Sequence, residues 1–274
     1  MAEHLVVDAP ARVLEFLRRS LPGWKRSTLE QRIRAGAVRV NGKVLRRNDL
    51  VAAGDEVVVV DEAEVEREMP AGIILLHVDD DLIAIDKPAG LLSVASEREK
   101  ESTALALLRE HFSQHLWPVH RIDRETSGVL LFARSAEVQD AVQAAWERAR
   151  KIYLALVEGG PSPPAGVIDE PLWEDRALFV RVGHHPDAKT ARTRYATREP
   201  LGDRTLLEVE LETGRRHQIR AHLAWLGHPV VGDRRYGRPG KRMGLHAWRL
   251  EIDHPADGRR LELEAKPPRE FRAS

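Results

Sequence analysis

Apolar residues near the start of the chain recur three and four positions apart, and later ones alternate with polar residues. The first spacing, between residues 11 and 20, predicts a short amphipathic helix. A second helix through LEQRIRAG is predicted to begin at a cap, Ser27 or Thr28, and to stop at Gly36. The segment AVRVNGKVL alternates on both sides of an Asn-Gly pair, which is typical of a tight hairpin turn. With the apolar segment GDEVVVV, these elements predict a small α/β domain over residues 1–62.

Residues 72–274 contain more strand-like segments than helical ones. The strand-like segments are DLIAIDKPAGLL, KIYLALVEG, ARTRYATRE and TLLEVELETG, and the helical ones are TALALLREHF and AEVQDAVQAAWERAR. Because hairpin-like loops separate most of the strands, we expect an α+β domain with a largely antiparallel, mixed β-sheet and flanking helices. Residues 63–71 are acidic and include Pro70, which predicts a linker between the two domains.

Charge is distributed unevenly, although the formal net charge is zero. Residues 11–50 hold eleven Lys or Arg against three Asp or Glu, so this segment carries +8, whereas acids dominate residues 55–68. A basic module of this kind predicts a polyanion as its partner. The candidate residues for that contact are Lys25, Arg26, Arg32, Arg34, Arg39 and Lys43.

The composition excludes several classes of protein. The chain has no cysteine, so it forms neither disulfides nor thiolate metal sites. No segment approaches the roughly 20 apolar residues of a membrane helix, and the N-terminal residues lack the basic leader and apolar run of a secretory signal. We therefore expect a cytoplasmic protein that contacts no membrane and acts as a monomer.

One short motif, HRIDRETSG, places Asp123 between Arg121 and Arg124, immediately before an apolar strand. Guanidinium groups near a carboxylate favour its ionised form. The motif by itself fits either a structural cluster of ion pairs or a nucleophile.

A second basic motif, TGRRHQIRAHLAWLGHP, predicts a helix from about His217 to Leu226, ended by Gly227. His217 and Arg220 are three residues apart and therefore share one face of this helix. Arg215 precedes the helix, whose first N–H groups can hold a phosphate together with a guanidinium. Arg215 and His217 are therefore candidates for substrate binding.

Two resemblances connect these motifs. The N-terminal helix, basic helix and hairpin resemble the alpha-L (S4-like) RNA-binding motif of some ribosomal proteins and RNA-modifying enzymes. The motifs DKPAGLL, HRIDRETSGVLLFAR, KIYLALVEG, TGRRHQIRAHLAWLGHPVVGDRRYG and LHAWRLEIDHP follow one another as in the RluA-type RNA pseudouridine synthases. This second resemblance implies a catalytic domain with a central active-site cleft and an RNA partner. Ribosomal RNA is the favoured substrate, and transfer RNA is the other candidate.

The RluA-type resemblance also implies roles for individual residues. Asp123 is the expected catalytic aspartate, and Arg220 is the partner that keeps it ionised. Tyr153 is expected to stack on the target base and to assist proton transfer, and Leu245 to pack against that base. Arg121 is expected to fill the space that the flipped uridine leaves.

The reaction that this family implies needs no imported group. It exchanges the C1′–N1 bond of uridine for a C1′–C5 bond, so we expect neither a metal nor a small-molecule cofactor. An ionised Asp123 can attack an electrophilic carbon or remove a sugar proton. The sequence leaves both routes open.

Other enzyme classes fit parts of the sequence less well. A metal-dependent phosphoesterase would draw its ligands from His120, Asp123, His217 and His222. His217 and His222 are five residues apart, which does not place two ligands on one helix face. A serine hydrolase at Ser127 would lack the Gly-x-Ser-x-Gly turn, and a glycosidase would have to use Glu125 as its second carboxylate.

The main alternative is a non-catalytic RNA-binding or ribosome-assembly factor. Such a protein would need the basic module but not Asp123, Tyr153 and Arg220. Because all three residues are present, we expect an enzyme.

Overall fold

The computed structural model describes residues 3–34, 36–45, 49–60, 69–70, 72–95 and 103–271. The chain divides into two compact units, Met1–Glu68 with Glu110–Ser113, and Met69–Arg109 with Gln114–Ser274. Most of the predicted linker lies outside the described residues, and the domain boundaries at residues 62 and 72 stay predictions.

The first unit contains two short helices and six short strands in its described residues. In chain order these are β1 (Glu3–Val6), β2 (Ala11–Arg12), α1 (Val13–Ser20), α2 (Arg26–Arg34), β3 (Val38–Val40), β4 (Lys43–Val44), β5 (Leu50–Val51) and β6 (Glu56–Val59). Strands β1, β6, β3 and β4 form an antiparallel sheet in that order, and β2 pairs with β5.

Local sequence explains most of this small unit. The four apolar residues at helical spacing in α1, Val13, Leu14, Phe16 and Leu17, are all buried in its core. Asn41 and Gly42 both have positive φ, 47° and 81°, as the tight turn between β3 and β4 requires. The second helix begins at Arg26, so the prediction that Ser27 or Thr28 caps it was wrong.

The remaining elements belong to the second unit, except for the end of helix Ala104–Phe112, from Glu110 onward, which belongs to the first. They are β7 (Ile74–Val78), β8 (Leu82–Lys87), α3 (Ala104–Phe112), β9 (Trp117–Pro118), β10 (Ser127–Ala133), α4 (Ala136–Ala144), β11 (Arg150–Glu158), β12 (Ala165–Asp169), β13 (Leu172–Glu174), β14 (Val180–Val182), β15 (Arg192–Leu201), β16 (Arg204–Leu211), α5 (Gln218–Trp225), β17 (Leu245–Asp253) and β18 (Arg260–Glu264). Single 3₁₀ turns cover Trp146–Arg148 and Arg269–Phe271.

A ten-stranded sheet organises this second unit. Its order is β12-β15-β16-β11-β17-β10-β8-β7, with β18 paired to β17 and β9 to β10. Of the strand pairs described in it, only β10 with β17 is parallel. All seven residues of β10 are buried, as expected for a strand covered on both faces. The prediction of an α+β domain with a largely antiparallel, mixed sheet is confirmed.

Two predicted helices have different bounds in the structure. The helix predicted over residues 136–150 ends at Ala144, and β11 begins at Arg150. Arg150 is held in the sheet by ion pairs to Glu210 and Glu251 on the two neighbouring strands, which favour the extended conformation. Helix α5 begins at Gln218, because the preceding residue adopts the left-handed conformation. In the described part of the chain, no helix is long and apolar enough to cross a membrane.

Candidate active site

A cleft of about 300 Å³ opens in the second unit at the edge of the sheet where β10 and β17 begin. Its lining includes all seven residues that the sequence predicts as catalytic or substrate-binding there: Arg121, Asp123, Tyr153, Arg215, His217, Arg220 and Leu245. Residues from the two distant motifs, HRIDRETSG and TGRRHQIRAH, therefore face one space. Their roles in catalysis and binding stay predictions.

The loop that carries Asp123 is fixed by the segment that follows β8. The Ser93 hydroxyl donates to the carbonyl oxygen of Ile122 at 2.7 Å and accepts the Ile122 N–H at 3.2 Å. The Arg124 carbonyl accepts the Gly90 N–H at 2.7 Å. The loop is thus bound on both sides of Asp123, which restricts the direction of its side chain.

Lys87 adds a buried charge beneath this loop. Its ammonium group is fully buried and donates to three carbonyl oxygens, those of Pro88 at 2.9 Å, Leu91 at 2.7 Å and Arg124 at 3.2 Å. All three N–H donors of an ammonium group are then in use. Burial lowers the pKa of Lys87 to about 8, although the charge of Asp123 opposes this shift.

A close backbone contact joins β10 and β17 next to the cleft. A Cβ atom on Gly128, whose φ is +114°, would lie 2.1 Å from the carbonyl oxygen of Ala247, so only glycine fits at this position. Because β10 and β17 are parallel here, they begin at the same edge of the sheet. This brings the Asp123 loop, which precedes β10, beside Leu245, which begins β17 and is buried.

Tyr153 reaches the cleft from β11, at an irregularity in the pairing of that strand. The register with β17 shifts between Ile152 and Tyr153, as in a β-bulge, which redirects a side chain. Burial, together with the charge of Asp123, raises the pKa of the Tyr153 phenol well above its usual value. Tyr153 is therefore a neutral hydroxyl at physiological pH.

Arg220 joins two carboxylates. Its Nη1 donates to Oδ2 of Asp123 at 2.8 Å, and its Nε and Nη2 donate to Oδ2 and Oδ1 of Asp233 at 2.6 and 2.9 Å. The side chains of Arg220 and Asp233 are 6% and 0% exposed, whereas that of Asp123 is 26% exposed and faces the cleft. The predicted contact between Asp123 and Arg220 is therefore present, and Asp233 is an additional partner.

His217 lies beside the same carboxylate, in a constrained conformation. Its φ of 52° is uncommon for a residue other than glycine and is often found at functional sites. The Tyr236 hydroxyl accepts the Val180 N–H at 3.2 Å and is also hydrogen-bonded to Nδ1 of His217 at 3.0 Å. Burial lowers the pKa of His217 to about 4, so the ring is neutral, and its Nε2 lies 3.8 Å from Oδ2 of Asp123.

The other two predicted arginines lie at the rim. Arg121 and Arg215 are both exposed, and the Arg215 Nε donates to the carbonyl oxygen of Thr190 at 3.0 Å. An exposed guanidinium at the mouth of a cleft can contact a polyanion without first leaving an internal ion pair.

Sequence reasoning missed the supporting residues Lys87, Ser93, Asp233 and Tyr236. Three of them belong to quoted motifs, DKPAGLL and GDRRYG, and Ser93 follows the first motif directly. The available signals were a lysine at the end of a mostly apolar strand and an aspartate that directly follows a glycine. Neither signal identifies a partner that is distant in sequence.

The structure disfavours the metal-dependent and hydrolytic alternatives. Both ring nitrogens of His222 are hydrogen-bonded elsewhere, to Thr193 and to the Glu170 carbonyl. Ser127 is buried and does not line the cleft that contains Asp123. Glu125 faces a neighbouring groove and not the cleft that contains Asp123.

That neighbouring groove is strongly basic. It has a volume of about 580 Å³, shares His217 and Arg220 with the cleft, and is lined by five further cationic residues, Arg216, Arg234, Arg235, Lys241 and Arg242. Arg234 and Lys241 are exposed and, within the described residues, make no hydrogen bond or ion pair. We call this cavity the basic groove.

The predicted RNA-binding residues of the first unit differ in their surroundings. Lys25 and Lys43 are exposed, and Arg26 is exposed but paired with Glu30 at 3.0 Å. Arg32 donates to the Val60 carbonyl at 2.5 Å and lies over the Trp24 ring, and Arg39 is half-buried. The side chain of Arg34 lies outside the described residues.

Comparison with known proteins now defines the class. A family model described as RNA pseudouridylate synthase matches residues 81–225, and one described as S4 domain matches residues 12–57. The chain belongs to the RluA-type family of RNA pseudouridine synthases and carries an N-terminal S4 domain. It is an isomerase that converts uridine in RNA to pseudouridine.

The individual relatives span nearly the whole chain. The ribosomal large subunit pseudouridine synthase D of Nitrosomonas europaea is 35% identical over 97% of this chain and 83% of its own length. The protein of the same name from Pseudomonas aeruginosa is 32% identical over 91% and 86%. An uncharacterized RNA pseudouridine synthase of Bacillus subtilis, YlyB, is 32% identical over 95% and 91%.

Two solved structures resemble this chain over about three-quarters of its length. Human RNA Pseudouridylate Synthase Domain Containing 4 matches with a TM-score of 0.60 and 27% identity, over 72% of this chain and 89% of that one. Human RNA Pseudouridylate Synthase Domain Containing 1 matches with a TM-score of 0.64 and 25% identity, over 74% and 87%.

Proposed function

We propose that this enzyme isomerises uridines of structured RNA, with large-subunit ribosomal RNA as its substrate and Asp123 as its catalytic carboxylate. The observation that carries the proposal is the hydrogen bonding of the two carboxylate oxygens of Asp123. Arg220 holds one of its oxygens at 2.8 Å, while no described residue donates a hydrogen bond to the other oxygen, which faces the cleft. An anchored carboxylate with an unused oxygen is suited to react.

The chemistry that we propose is balanced within the nucleotide. The C1′–N1 bond breaks, a C1′–C5 bond forms, C5 loses a proton and N1 gains one. Asp123 acts either by attacking an electrophilic carbon or by removing a sugar proton, and both routes require the ionised carboxylate. We expect no metal or small-molecule cofactor to take part.

Tyr153 and Leu245 form the proposed binding surface for the base. The neutral Tyr153 phenol can stack on uracil and donate or relay a proton at one of its atoms. A cleft of about 300 Å³ accommodates one nucleobase, so the target uridine has to leave its stack. Arg121, exposed at the rim, is the proposed residue that fills the vacated space.

The charge distribution supports a large RNA substrate. The basic groove adjoins the cleft and can hold the phosphates next to the target uridine. His217 lines both cavities, and Arg215 lies at the rim of the cleft. Lys25, Arg26, Arg32, Arg34, Arg39 and Lys43 of the S4 domain are the proposed second contact with RNA. Relatives named for the ribosomal large subunit favour ribosomal over transfer RNA. We place the reaction in the cytoplasm, with the enzyme as a monomer.

Mapping of pseudouridine across total RNA tests this proposal. A strain that lacks the gene is compared with strains complemented by the wild-type gene or by the Asp123→Asn gene. We expect the deletion to remove one or more pseudouridines from large-subunit ribosomal RNA, and only the wild-type gene to restore them. Sites restored by Asp123→Asn would overturn the catalytic assignment, and a loss confined to transfer RNA would overturn the ribosomal one.

A further inference from the structure

Asp233 is a carboxylate that the proposed chemistry does not use directly. It is buried, and each of its oxygens accepts a hydrogen bond from Arg220. Its Oδ1 also accepts the backbone N–H groups of Arg235 at 2.8 Å and Tyr236 at 3.1 Å. The carboxylate is therefore saturated by protein donors and has no site left for a substrate.

The two hydrogen bonds to Asp233 determine where Arg220 points. They occupy Nε and Nη2, which form one edge of the guanidinium plane, and leave Nη1 directed at Asp123. A bidentate pair of this kind fixes the plane of the group as well as its position. The Tyr236 ring lies 5.3 Å from the guanidinium carbon and limits its movement further.

The charge of Arg220 is also divided between the two carboxylates. Burial raises the pKa of Asp233, but the hydrogen bonds and the charge of Arg220 lower it by more, so Asp233 is ionised. One cation thus serves two anions, and the group of three carries a net charge of −1. A carboxylate that shares its cation keeps more nucleophilic and basic character than one that is fully neutralised.

We infer that Asp233 is a positioning residue of the uridine isomerisation, which acts on Asp123 through Arg220. It aims the guanidinium at Asp123 and takes up part of its charge. This inference rests on the proposed role of Asp123.

Asp233→Asn in the full-length enzyme tests whether the negative charge of Asp233, paired with Arg220, affects Asp123. Asparagine keeps an oxygen for the two backbone N–H groups but removes the negative charge. We expect kcat to fall about 10- to 100-fold, the KM for RNA to stay within about twofold, and the acid limb of the kcat–pH profile to move to lower pH. A merely structural residue would change thermal stability and leave the acid limb in place.

The matched control is Asp79→Asn. Asp79 is another carboxylate of the same unit, 24% exposed and held by side-chain and backbone donors, and it makes no described contact with Arg220. We expect this variant to lose thermal stability while its acid limb stays in place.

A double-mutant cycle with Arg220→Met tests whether Asp233 acts on Asp123 through Arg220. Without Arg220, Asp233 is a buried and unpaired charge, so Asp233→Asn should raise the melting temperature of Arg220→Met although it lowers that of the wild type. In the same background, Asp233→Asn should cause no further loss of kcat. An unmoved acid limb, or an equal loss of kcat in both backgrounds, would overturn the inference.

The proposed function and this inference fail differently. If Asp123→Asn keeps its turnover, the proposed function is wrong whatever Asp233 does. If Asp123→Asn is inactive and Asp233→Asn has a wild-type kcat and pH profile, only the inference is wrong.

Discussion

Two aspartates of the catalytic unit, Asp79 and Asp123, have nearly the same exposure and very different surroundings. Their side chains are 24% and 26% exposed. Asp79 uses both oxygens: Oδ1 accepts the N–H groups of Asp81 and Leu82, and Oδ2 accepts His77 at 2.5 Å and His254 at 3.0 Å. Asp123 has one short bond, to Arg220, and a free oxygen that faces the cleft.

The comparison shows that burial and cationic neighbours do not by themselves identify a reactive carboxylate. Both aspartates have them. The difference lies in the number of acceptor sites that the protein leaves open, because a saturated carboxylate has no lone pair with which to attack or accept a proton. Replacing each of the two aspartates by asparagine and comparing the variants is therefore the most direct test.

The largest contrast is expected between Asp123→Asn and Asp79→Asn. The amide at position 123 can neither attack carbon nor accept a proton, so we expect kcat to fall by at least about 10⁴-fold, while RNA affinity stays within about threefold. Asp79→Asn should keep wild-type kcat. Release of the uracil C5 proton and a filter-binding assay measure the two quantities, and turnover by Asp123→Asn would remove the distinction between the two sites.

A smaller effect is expected for Tyr153→Phe, which changes one atom beside Asp123. Phenylalanine keeps the ring for stacking and removes the hydroxyl, so the loss reports proton transfer alone. We expect kcat to fall about 10²-fold with an unchanged KM. Tyr236→Phe is the matched hydroxyl deletion next to His217. A larger rise in KM than fall in kcat for Tyr153→Phe would assign its hydroxyl to binding.

The hydrogen bonds to Asp79 should contribute to the free energy of unfolding in a way that depends on pH. Burial opposes ionisation of Asp79, but hydrogen bonds from His77, His254 and the backbone lower its pKa far below its usual value. A lowered folded-state pKa contributes stability above the unfolded pKa of about 4, and this stability is lost as the pH falls toward the folded value. Relative to Asp79→Asn, the wild type should lose on the order of 1–3 kcal/mol of unfolding free energy between pH 5 and pH 2. Urea denaturation across this range measures it, and parallel curves for the two proteins would contradict it.

The smallest effect is expected from charges that contact only phosphate. Replacing Arg234 and Lys241 of the basic groove by glutamine should reduce the slope of log affinity against log salt by about 1.4 to 1.8. The same pair of changes at Lys25 and Lys43 should do the same in the S4 domain. Neither pair should change kcat at saturating RNA. Salt titrations of RNA binding measure both slopes, and an unchanged slope would show which surface RNA does not use.

Sequence reasoning predicted the residues that line the cleft but not the residues that support them. Asp123 and Arg220 were predicted as partners although they are 97 residues apart, because the resemblance to the RluA-type synthases implied this pair. Asp233 and Lys87 escaped prediction, because a buried charge is meaningful only when its partners are known, and those partners are carbonyl groups or distant side chains. The elements of the fold were predicted well where apolar spacing set them, and less well at Arg150 and His217. There, an ion pair between strands and a left-handed residue decided the boundary.

Lys87 makes the integrity of the Asp123 loop accessible to chemical footprinting. An acylating reagent can reach only an exposed amine, and the three carbonyl groups and the surrounding chain enclose the Lys87 amine completely. Acylation at Lys87 thus requires that the segment after β8 separate from the loop. In a mass-spectrometric experiment, the rate of labelling at this residue relative to exposed lysines such as Lys241 would report how often the Asp123 loop opens.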